Sequence, residues 1–289
     1  MIVVEQVEKK VKDFVLGPID FSIEPGTVTA IVGENGSGKS TLLKTMMNLY
    51  KRNNGAVKFF SKDVADDEEW KSQVAYQGQQ AYGYEIFTLK EMHEFISKWY
   101  PNFNHALYEE MVERFELPKN KKFSAMSEGM QQKMVLALTI PRNTKVLLLD
   151  EPTSFMDIPA KKYVMDLLVR WLEEDDERSL VLASHQADDI RKLADYLLII
   201  RKGVQIDWIE KELLIERYIQ YSFVDGEYLV KLPGEVSRSM NGNEIVVELR
   251  EEDGVTEERL QTFFHRNEVT PLTESRLDVE DIVALLLEN

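Results

Sequence analysis

The amino-acid sequence predicts an α/β fold in which a largely parallel sheet carries a helical insert and is followed by a small α+β appendage. Apolar segments of strand length alternate with helical patterns through about residue 205, which is typical of a parallel sheet. Residues 28–32 form an apolar run before a glycine-rich turn, and residues 145–149 form another that ends in two carboxylates. Such continuous runs are typical of central strands buried on both faces.

The helical insert is predicted between these two strands, at about residues 72–140. Apolar residues recur there at helical spacing over residues 89–99 and 106–115. A helix at residues 41–49 is expected after the glycine-rich turn, and a strand at residues 180–183 follows the insert. We assign all these elements to a first domain, which ends at residue 208.

The pattern changes after the first domain, and residues 209–289 are predicted to form a C-terminal accessory domain. Strands are predicted at residues 228–232 and 244–249, with Asn241 and Gly242 as a turn between them. Helical patterns then cover residues 256–266 and 279–287. No motif in this part of the chain predicts any chemistry.

The composition excludes several classes of protein. The 289 residues include no cysteine, which excludes a disulfide framework, a thiolate metal site and a thiol nucleophile. The net charge of -16 disfavours a general nucleic-acid binder, which needs Lys and Arg to neutralise phosphates, so no nucleic-acid partner is expected. No stretch approaches the roughly 18 consecutive apolar residues of a spanning helix, and no secretory signal is found. We therefore expect a cytoplasmic protein.

The glycine-rich turn fits the pattern G-x-x-x-x-G-K-[ST]. Its glycines allow successive backbone N–H groups to point at phosphate oxygens, and the N-terminus of the next helix adds partial positive charge. Lys39 is expected to reach the β- and γ-phosphates, and the Ser40 hydroxyl to coordinate Mg²⁺. The sequence therefore predicts a nucleoside triphosphate site. Its residues are Gly33, Asn35, Gly36, Ser37, Gly38, Lys39, Ser40 and Thr41.

Two carboxylates follow the apolar run at residues 145–149. At the carboxyl edge of a parallel sheet, Asp150 would lie beside the Mg²⁺ that Ser40 coordinates. Glu151 would then orient or deprotonate the attacking water. Together with the glycine-rich turn, these residues predict a reaction class that kinases, GTPases, helicases and transport ATPases share.

A short segment before the Asp150 strand distinguishes between these classes. Residues 126–130 read M-S-E-G-M and resemble the signature motif of the ATP-binding cassette (ABC) family, usually written L-S-G-G-Q. Ser127 and Gly129 match, whereas Met126, Glu128 and Met130 depart from the commonest form. Ser127 is equally suited to be the N-cap of the helix that follows, and both interpretations hold together because an exposed serine at a helix N-terminus is itself a phosphate site.

Three further positions resemble the family in order and spacing. Gln79 matches the glutamine that senses Mg²⁺ and the attacking water, although Gln77 or Gln80 could be its counterpart. Asp157 matches the D-loop aspartate, and His185 matches the switch histidine that hydrogen-bonds the γ-phosphate. The resemblance covers the whole first domain and implies a P-loop NTPase sheet domain with a helical ABC subdomain.

The resemblance also implies ATP and Mg²⁺ as the bound groups. It assigns Mg²⁺ to Ser40, Asp150 and Gln79, and hydrolysis to Glu151, His185, Gln79 and Lys39. The family's aromatic residue that stacks on adenine is missing at the aligned position, which is Val11, and Phe14 could substitute for it. Losing one stacking contact should weaken nucleotide binding without abolishing it.

The resemblance implies two kinds of partner. Two cassettes of this family pack head to tail, so that Ser127, Gly129 and Asp157 of one subunit complete the ATP site of the other, in a homodimer or in a heterodimer with another ABC subunit. A membrane-spanning permease subunit would place the chain on the inner face of the cell membrane. The aromatic and aliphatic residues after Gln79 would form its docking groove or, alternatively, the core of the helical insert. They are Tyr82, Tyr84, Ile86 and Phe87.

These features predict the ATPase subunit of an ABC transporter. Residues 279–282 resemble a terminal Leu-Glu-Asp-Ile helix found in the drug, bacteriocin and lipid exporter branch, which favours export. The alternative is a soluble ABC-type ATPase that acts on ribosomes or DNA. Those proteins usually carry two cassettes or a long coiled coil, neither of which this sequence predicts. A small-molecule kinase would leave the signature segment, Gln79 and His185 unexplained together.

Overall fold

The structure is a computed structural model that describes residues 1–80, 83–224, 231–240 and 243–288. The chain forms two compact units, Met1–Trp208 and Ile209–Asn289. The strands up to the end of the first unit are β1 (Ile2–Val11), β2 (Phe14–Ile23), β3 (Val28–Val32), β4 (Asn54–Phe59), β5 (Lys62–Asp63), β6 (Val74–Gln77), β7 (Val146–Asp150), β8 (Ser179–Ala183), β9 (Tyr196–Arg201) and β10 (Val204–Glu210). The helices of this unit are α1 (Lys39–Met46), α2 (Leu89–Ile96), α3 (His105–Arg114), α4 (Glu128–Thr139), α5 (Ile158–Glu173) and α6 (Ala187–Leu193).

A six-stranded sheet in the order β10-β9-β3-β8-β7-β6 forms the centre of the first unit. Strands β6, β7, β8, β3 and β9 pair in parallel. Every residue of β3, β7 and β8 is buried, as expected for strands covered on both faces. The predicted α/β fold and both predicted central strands are confirmed. Asp150 at the end of β7 pairs with Ala183 at the end of β8, so the chain leaves both strands at the same edge.

A second, antiparallel sheet in the order β2-β1-β4-β5 was not anticipated from the sequence. Its first two strands pair along most of their length, but their register shifts between Val4 and Val7 and again between Val7 and Lys9. Such bulges break the strict alternation of apolar and polar residues by which a half-buried strand is recognised. The pattern of the N-terminal residues therefore concealed two long strands.

Helices α2, α3 and α4 form the helical insert, and each begins at a polar capping residue. Thr88 and Glu91 form a capping box at α2, and the side chains of Asn104 and Ser127 cap α3 and α4. The start of the predicted insert at residue 72 needs correction. Because β6 pairs with β7, residues 74–77 belong to the sheet, and the first helix of the insert begins only at Leu89.

The second unit contains α7 (Lys211–Arg217), β11 (Tyr218–Ser222), β12 (Glu235–Arg238), β13 (Glu244–Glu248), α8 (Glu257–Arg266), β14 (Thr273–Arg276) and α9 (Val279–Glu288). Its antiparallel sheet has the order β12-β13-β11-β14 and buries Tyr221 and Val247 against Leu260 and Phe264 of α8. The predicted strand at residues 244–249 and both predicted helices are confirmed.

Some predictions fall on residues that the structure does not describe. Tyr82, the predicted turn at Asn241 and Gly242, and the first three residues of the predicted strand at 228–232 lie outside the described residues. The remaining two residues of that strand prediction are not in a strand. Among the described residues, no helix is both long enough and apolar enough to cross a membrane.

Candidate functional site

The glycine-rich turn connects β3 to α1 at the carboxyl edge of the parallel sheet. Gly38 has a φ of 115°, in the left-handed region that favours glycine, and directly precedes α1. A Cβ atom on Gly33 would lie 2.2 Å from the carbonyl oxygen of Ile200, so only glycine fits where the turn leaves the sheet. The local backbone therefore has the form that the phosphate-binding prediction requires.

Lys39 is the first residue of α1, and its side chain is only 6% exposed. Its Nζ donates hydrogen bonds to the carbonyl oxygens of Gly33 at 2.7 Å and Glu34 at 3.2 Å, and lies 3.7 Å from Glu151 Oε1. Burial lowers the pKa of Lys39, and the negative charges of Glu151 and Asp150 oppose this shift. The turn thus holds a partly desolvated cation at the point where phosphates are predicted to bind.

Asp150 is completely buried at the end of β7. Neither carboxylate oxygen has a hydrogen-bond partner of good geometry among the described residues. Burial raises the pKa of Asp150, and the nearby Ser40 hydroxyl opposes this shift. A buried carboxylate without a full set of partners is costly unless it is paired or binds a metal ion. Asp150 and Ser40 therefore fit a Mg²⁺ ion, for which carboxylate and hydroxyl oxygens are suitable ligands.

Glu151 follows directly, is 5% exposed, and has a φ of 52° in the strained left-handed region. Its backbone N–H donates to the Ala183 carbonyl at 2.9 Å, and the Gln132 side chain donates to the Glu151 carbonyl at 3.0 Å. Its Oε2 atom lies 2.8 Å from His185 Nδ1. The fold thus brings together Glu151, His185 and Lys39, which are far apart in the sequence.

A cleft of about 520 Å³ adjoins these residues. Its walls are formed by Val11, Phe14, Asn35, Gly36, Gly38, Lys39, Ser40, Thr41, Gln79 and Glu151. Both candidates for an adenine contact, Val11 and Phe14, lie on this cleft.

The structure separates the three glutamines at the end of β6. Gln79 is exposed and lines the cleft, which suits a residue that acts on bound ligand. Gln77 is buried, and its amide donates to the carbonyl oxygens of Gly78 and Asp150. Gln80 lines a neighbouring cavity instead. Of the three glutamines, Gln79 alone is among the residues that line the cleft.

Comparison with known proteins identifies the family. The family model described as ABC transporter matches residues 16–154. These residues form an ABC transporter ATP-binding domain. The predicted family, the ATP-binding function and the assignment as an ATPase are thereby confirmed.

Similar proteins agree with this assignment. The ABC transporter ATP-binding protein YtrB of Bacillus subtilis is 27% identical over 221 residues, which are 76% of this chain and 75% of YtrB. The petrobactin import ATP-binding protein FpuC of Bacillus anthracis is 29% identical over 222 residues, which are 73% of this chain and 81% of FpuC. The solved dimeric structure of an ATP-binding cassette with ADP and Pi has a TM-score of 0.63, at 23% identity over 73% of this chain and 98% of that one. This last likeness shows that the fold of the ABC domain is shared.

Three predicted ligand residues lie in the first unit away from the cleft. Ser127 is exposed and accepts a hydrogen bond from the Met130 N–H at 3.3 Å, so it is the N-cap of α4. Asp157 accepts from Ala160 N–H at 2.8 Å as the N-cap of α5, and this bond lowers the pKa of its carboxyl, as does Lys133. Packing within the chain also explains a glycine at position 129, because a Cβ atom there would lie 2.6 Å from the Phe155 carbonyl oxygen. Within one chain, none of the three lines the cleft.

The sequence prediction missed residues that hold the ABC site together. Gln132 is buried and donates to the carbonyl oxygens of Glu151 and Pro152, which connects α4 of the helical insert to the turn after β7. Asp189 is buried beside Thr153 and Lys161. Both are polar residues in helical segments, and no local pattern distinguished them from solvent-facing ones.

Proposed function

We propose that this chain is the ATP-hydrolysing subunit of an ABC transporter and that it drives a separate membrane-spanning permease. One observation carries the assignment of hydrolysis to these residues. Glu151 Oε2 lies 2.8 Å from His185 Nδ1, and its Oε1 lies 3.7 Å from Lys39 Nζ, at the wall of the cleft. A buried base, a half-exposed imidazole and a buried ammonium meet at one point.

The chemistry follows from the position of each group. Glu151 orients the attacking water or accepts its proton, and Gln79 contributes from the same cleft. Lys39 and His185 neutralise charge that develops on the transferred phosphoryl group. Ser40 and Asp150 would hold Mg²⁺, which supplies further neutralisation of phosphate charge when it is bound.

The residues that lie away from the cleft support a dimer. Ser127 and Asp157 are exposed, and neither lines the cleft of its own chain. We infer that each serves the ATP site of a second subunit, either another copy of this chain or a different ABC subunit. In this arrangement ATP holds the dimer together, and its hydrolysis releases it.

An apolar groove on the helical insert supports a permease partner. It has a volume of about 560 Å³ and is lined by Gly83, Tyr84, Phe87, Glu91, Met92, Glu94, Phe95 and Lys98. Tyr84 packs edge-on against Phe123 and so also belongs to the core of the insert, whereas Ile86 is 69% exposed. Apolar surface of this kind is usually covered by a partner. A helix of the permease bound there would place the chain on the inner face of the membrane.

Export is the proposed direction of transport, on the resemblance of residues 279–282 alone. In the structure this segment begins α9, whose Val279, Ile282 and Val283 are buried. Packing of this helix therefore accounts for its apolar residues without any role in transport. The names of the relatives favour neither direction, since FpuC is named for import and the SkfE protein of Bacillus subtilis for peptide export.

The decisive test replaces the base by its amide, Glu151→Gln. We expect kcat for ATP hydrolysis to fall by about 10²-fold or more, while ATP binding persists and a dimer accumulates in ATP. Phosphate release and light scattering measure the two effects. Glu173→Gln, on the exposed face of α5, is the matched control and should retain wild-type turnover. A Glu151→Gln protein that turns over normally contradicts the proposal, whereas one that stays monomeric in ATP excludes the homodimer and leaves the heterodimer with a different ABC subunit.

A further inference from the structure

We propose that the buried carboxylate of Asp189 is a positioning residue for hydrolysis, because it ties the turn after Glu151 to the loop that carries His185. The proposal rests on the proposed function, since it takes from it the roles of Glu151 and His185. It assigns to Asp189 no contact with ATP.

Asp189 lies on α6 and is completely buried. Its Oδ2 accepts hydrogen bonds from the hydroxyls of Thr153 at 2.8 Å and Ser184 at 3.4 Å. Its Oδ1 lies 3.1 Å from Lys161 Nζ. A buried carboxylate is stable only with such pairing, and here the partners come from three separate segments of the chain. One charge therefore joins α5, the turn after β7 and the loop after β8.

The loop after β8 is fixed on both sides of His185. Ser184 bonds to Asp189, and the backbone N–H of Gln186 donates to the Ser184 hydroxyl at 3.0 Å. The Gln186 side chain donates to the Thr153 hydroxyl at 3.3 Å. The side chain of His185 is itself 50% exposed, so its own packing constrains it little. Besides the contact of the imidazole with Glu151, its position therefore depends on its two chain neighbours, and both are bonded to the Thr153–Asp189 pair.

The same pair constrains the turn that carries Glu151. Thr153 follows Glu151 by two residues, and the Ser154 N–H closes the turn by donating to the Glu151 carbonyl at 3.2 Å. The left-handed φ of Glu151 is strained and persists only where the surroundings determine it. The Thr153 hydroxyl therefore links the turn that carries Glu151 to the loop that carries His185.

The test removes this hydroxyl and keeps the shape of the side chain. Thr153→Val leaves one Asp189 oxygen without its shortest hydrogen bond, whereas Thr153→Ser keeps the hydroxyl and is the matched control. Neither Thr153 nor Asp189 lines the ATP cleft. We expect Thr153→Val to lower kcat by about 10- to 100-fold with KM for ATP changed less than about twofold, and Thr153→Ser to recover most of the loss. Thermal unfolding verifies that both variants fold.

The readout that separates positioning from general stability is a double-mutant cycle with His185→Ala. If the Thr153–Asp189 pair acts through His185 as well as through the turn of Glu151, Thr153→Val should cost much less once the imidazole is gone. An equal fold-loss in both backgrounds overturns the inference and leaves the proposed roles of Glu151 and His185 intact. Full turnover by His185→Ala alone instead overturns the proposed role of His185, and with it this inference.

Discussion

Replacing Asp150 by Asn should stabilise the protein without ligand while destroying its response to Mg²⁺ and nucleotide. The wild-type carboxylate is completely buried, lacks a hydrogen-bond partner of good geometry among the described residues, and has a raised pKa caused chiefly by burial. An ionised group in that position is costly at neutral pH. Asn has nearly the same shape and no charge.

The direction in which the stability of the protein changes with pH follows from proton linkage. Because the pKa of Asp150 is higher in the folded than in the unfolded chain, folding takes up a proton in the interval between the two values. Stability therefore falls as pH rises from about 4, the ordinary pKa of Asp, through the raised value. Asp150→Asn removes this dependence, so its advantage should be largest above the raised pKa of Asp150 and absent in acid.

Asp150→Asn should raise the free energy of unfolding by about 1 kcal/mol. The relief of the buried charge is partly offset by the imperfectly bonded amide and by the loss of an attraction to Lys39. In a unit of this size that gain raises Tm by about 2–4 °C. A non-hydrolysable ATP analogue with Mg²⁺ at 100 times its Kd should stabilise the wild type by about 2.7 kcal/mol. The variant should gain much less, so the wild type should have the higher Tm with ligand and the variant the higher Tm without it.

Differential scanning fluorimetry of both proteins, with and without the Mg²⁺ analogue complex and at two pH values, measures the effect. Asp66→Asn, at an exposed position, is the control and should behave as wild type. A lower Tm for ligand-free Asp150→Asn at neutral pH would refute the reasoning, because it would show that the ionised carboxylate is well paired in the folded chain.

Two further predictions concern the cleft and the groove. Phe14→Ala should raise the Kd for ATP about fivefold, which corresponds to about 1 kcal/mol of lost ring contact. Val11→Ala, at the position aligned with the family's aromatic residue, should raise the Kd less. Isothermal titration calorimetry in the Glu151→Gln background measures both values, and equal effects would contradict a stacking role for Phe14. Ile86→Glu should leave the Tm and basal ATPase rate of the isolated chain nearly unchanged, because the side chain is 69% exposed, but should abolish co-purification with a multi-span membrane protein from detergent extracts. Ile86 lies between Tyr84 and Phe87, which line the groove, but does not line it itself. Retention of that protein by Ile86→Glu would therefore contradict docking at this exposed apolar segment.

Several parts of the fold were accessible from the sequence because the signal is local. The apolar runs that became β3 and β7 are continuous and bounded by turn residues, so they could be recognised without knowing their neighbours. The N-terminal sheet was not accessible, because its bulges disturb the alternation of burial. Strand β6 was taken for part of the insert because four residues are too few to show a period.

The same division applies to the site. By itself, the sequence determined the ABC family, the phosphate turn and the order Asp150-Glu151, because these depend on residue types at fixed short spacings and on local backbone form. Only the tertiary structure decided that Gln79 rather than Gln77 lines the cleft, that His185 meets Glu151, and that Asp189 joins their two loops. The physical reason is that these contacts join residues distant in the chain, and their geometry exists only once parallel strands have brought their carboxyl ends to one edge.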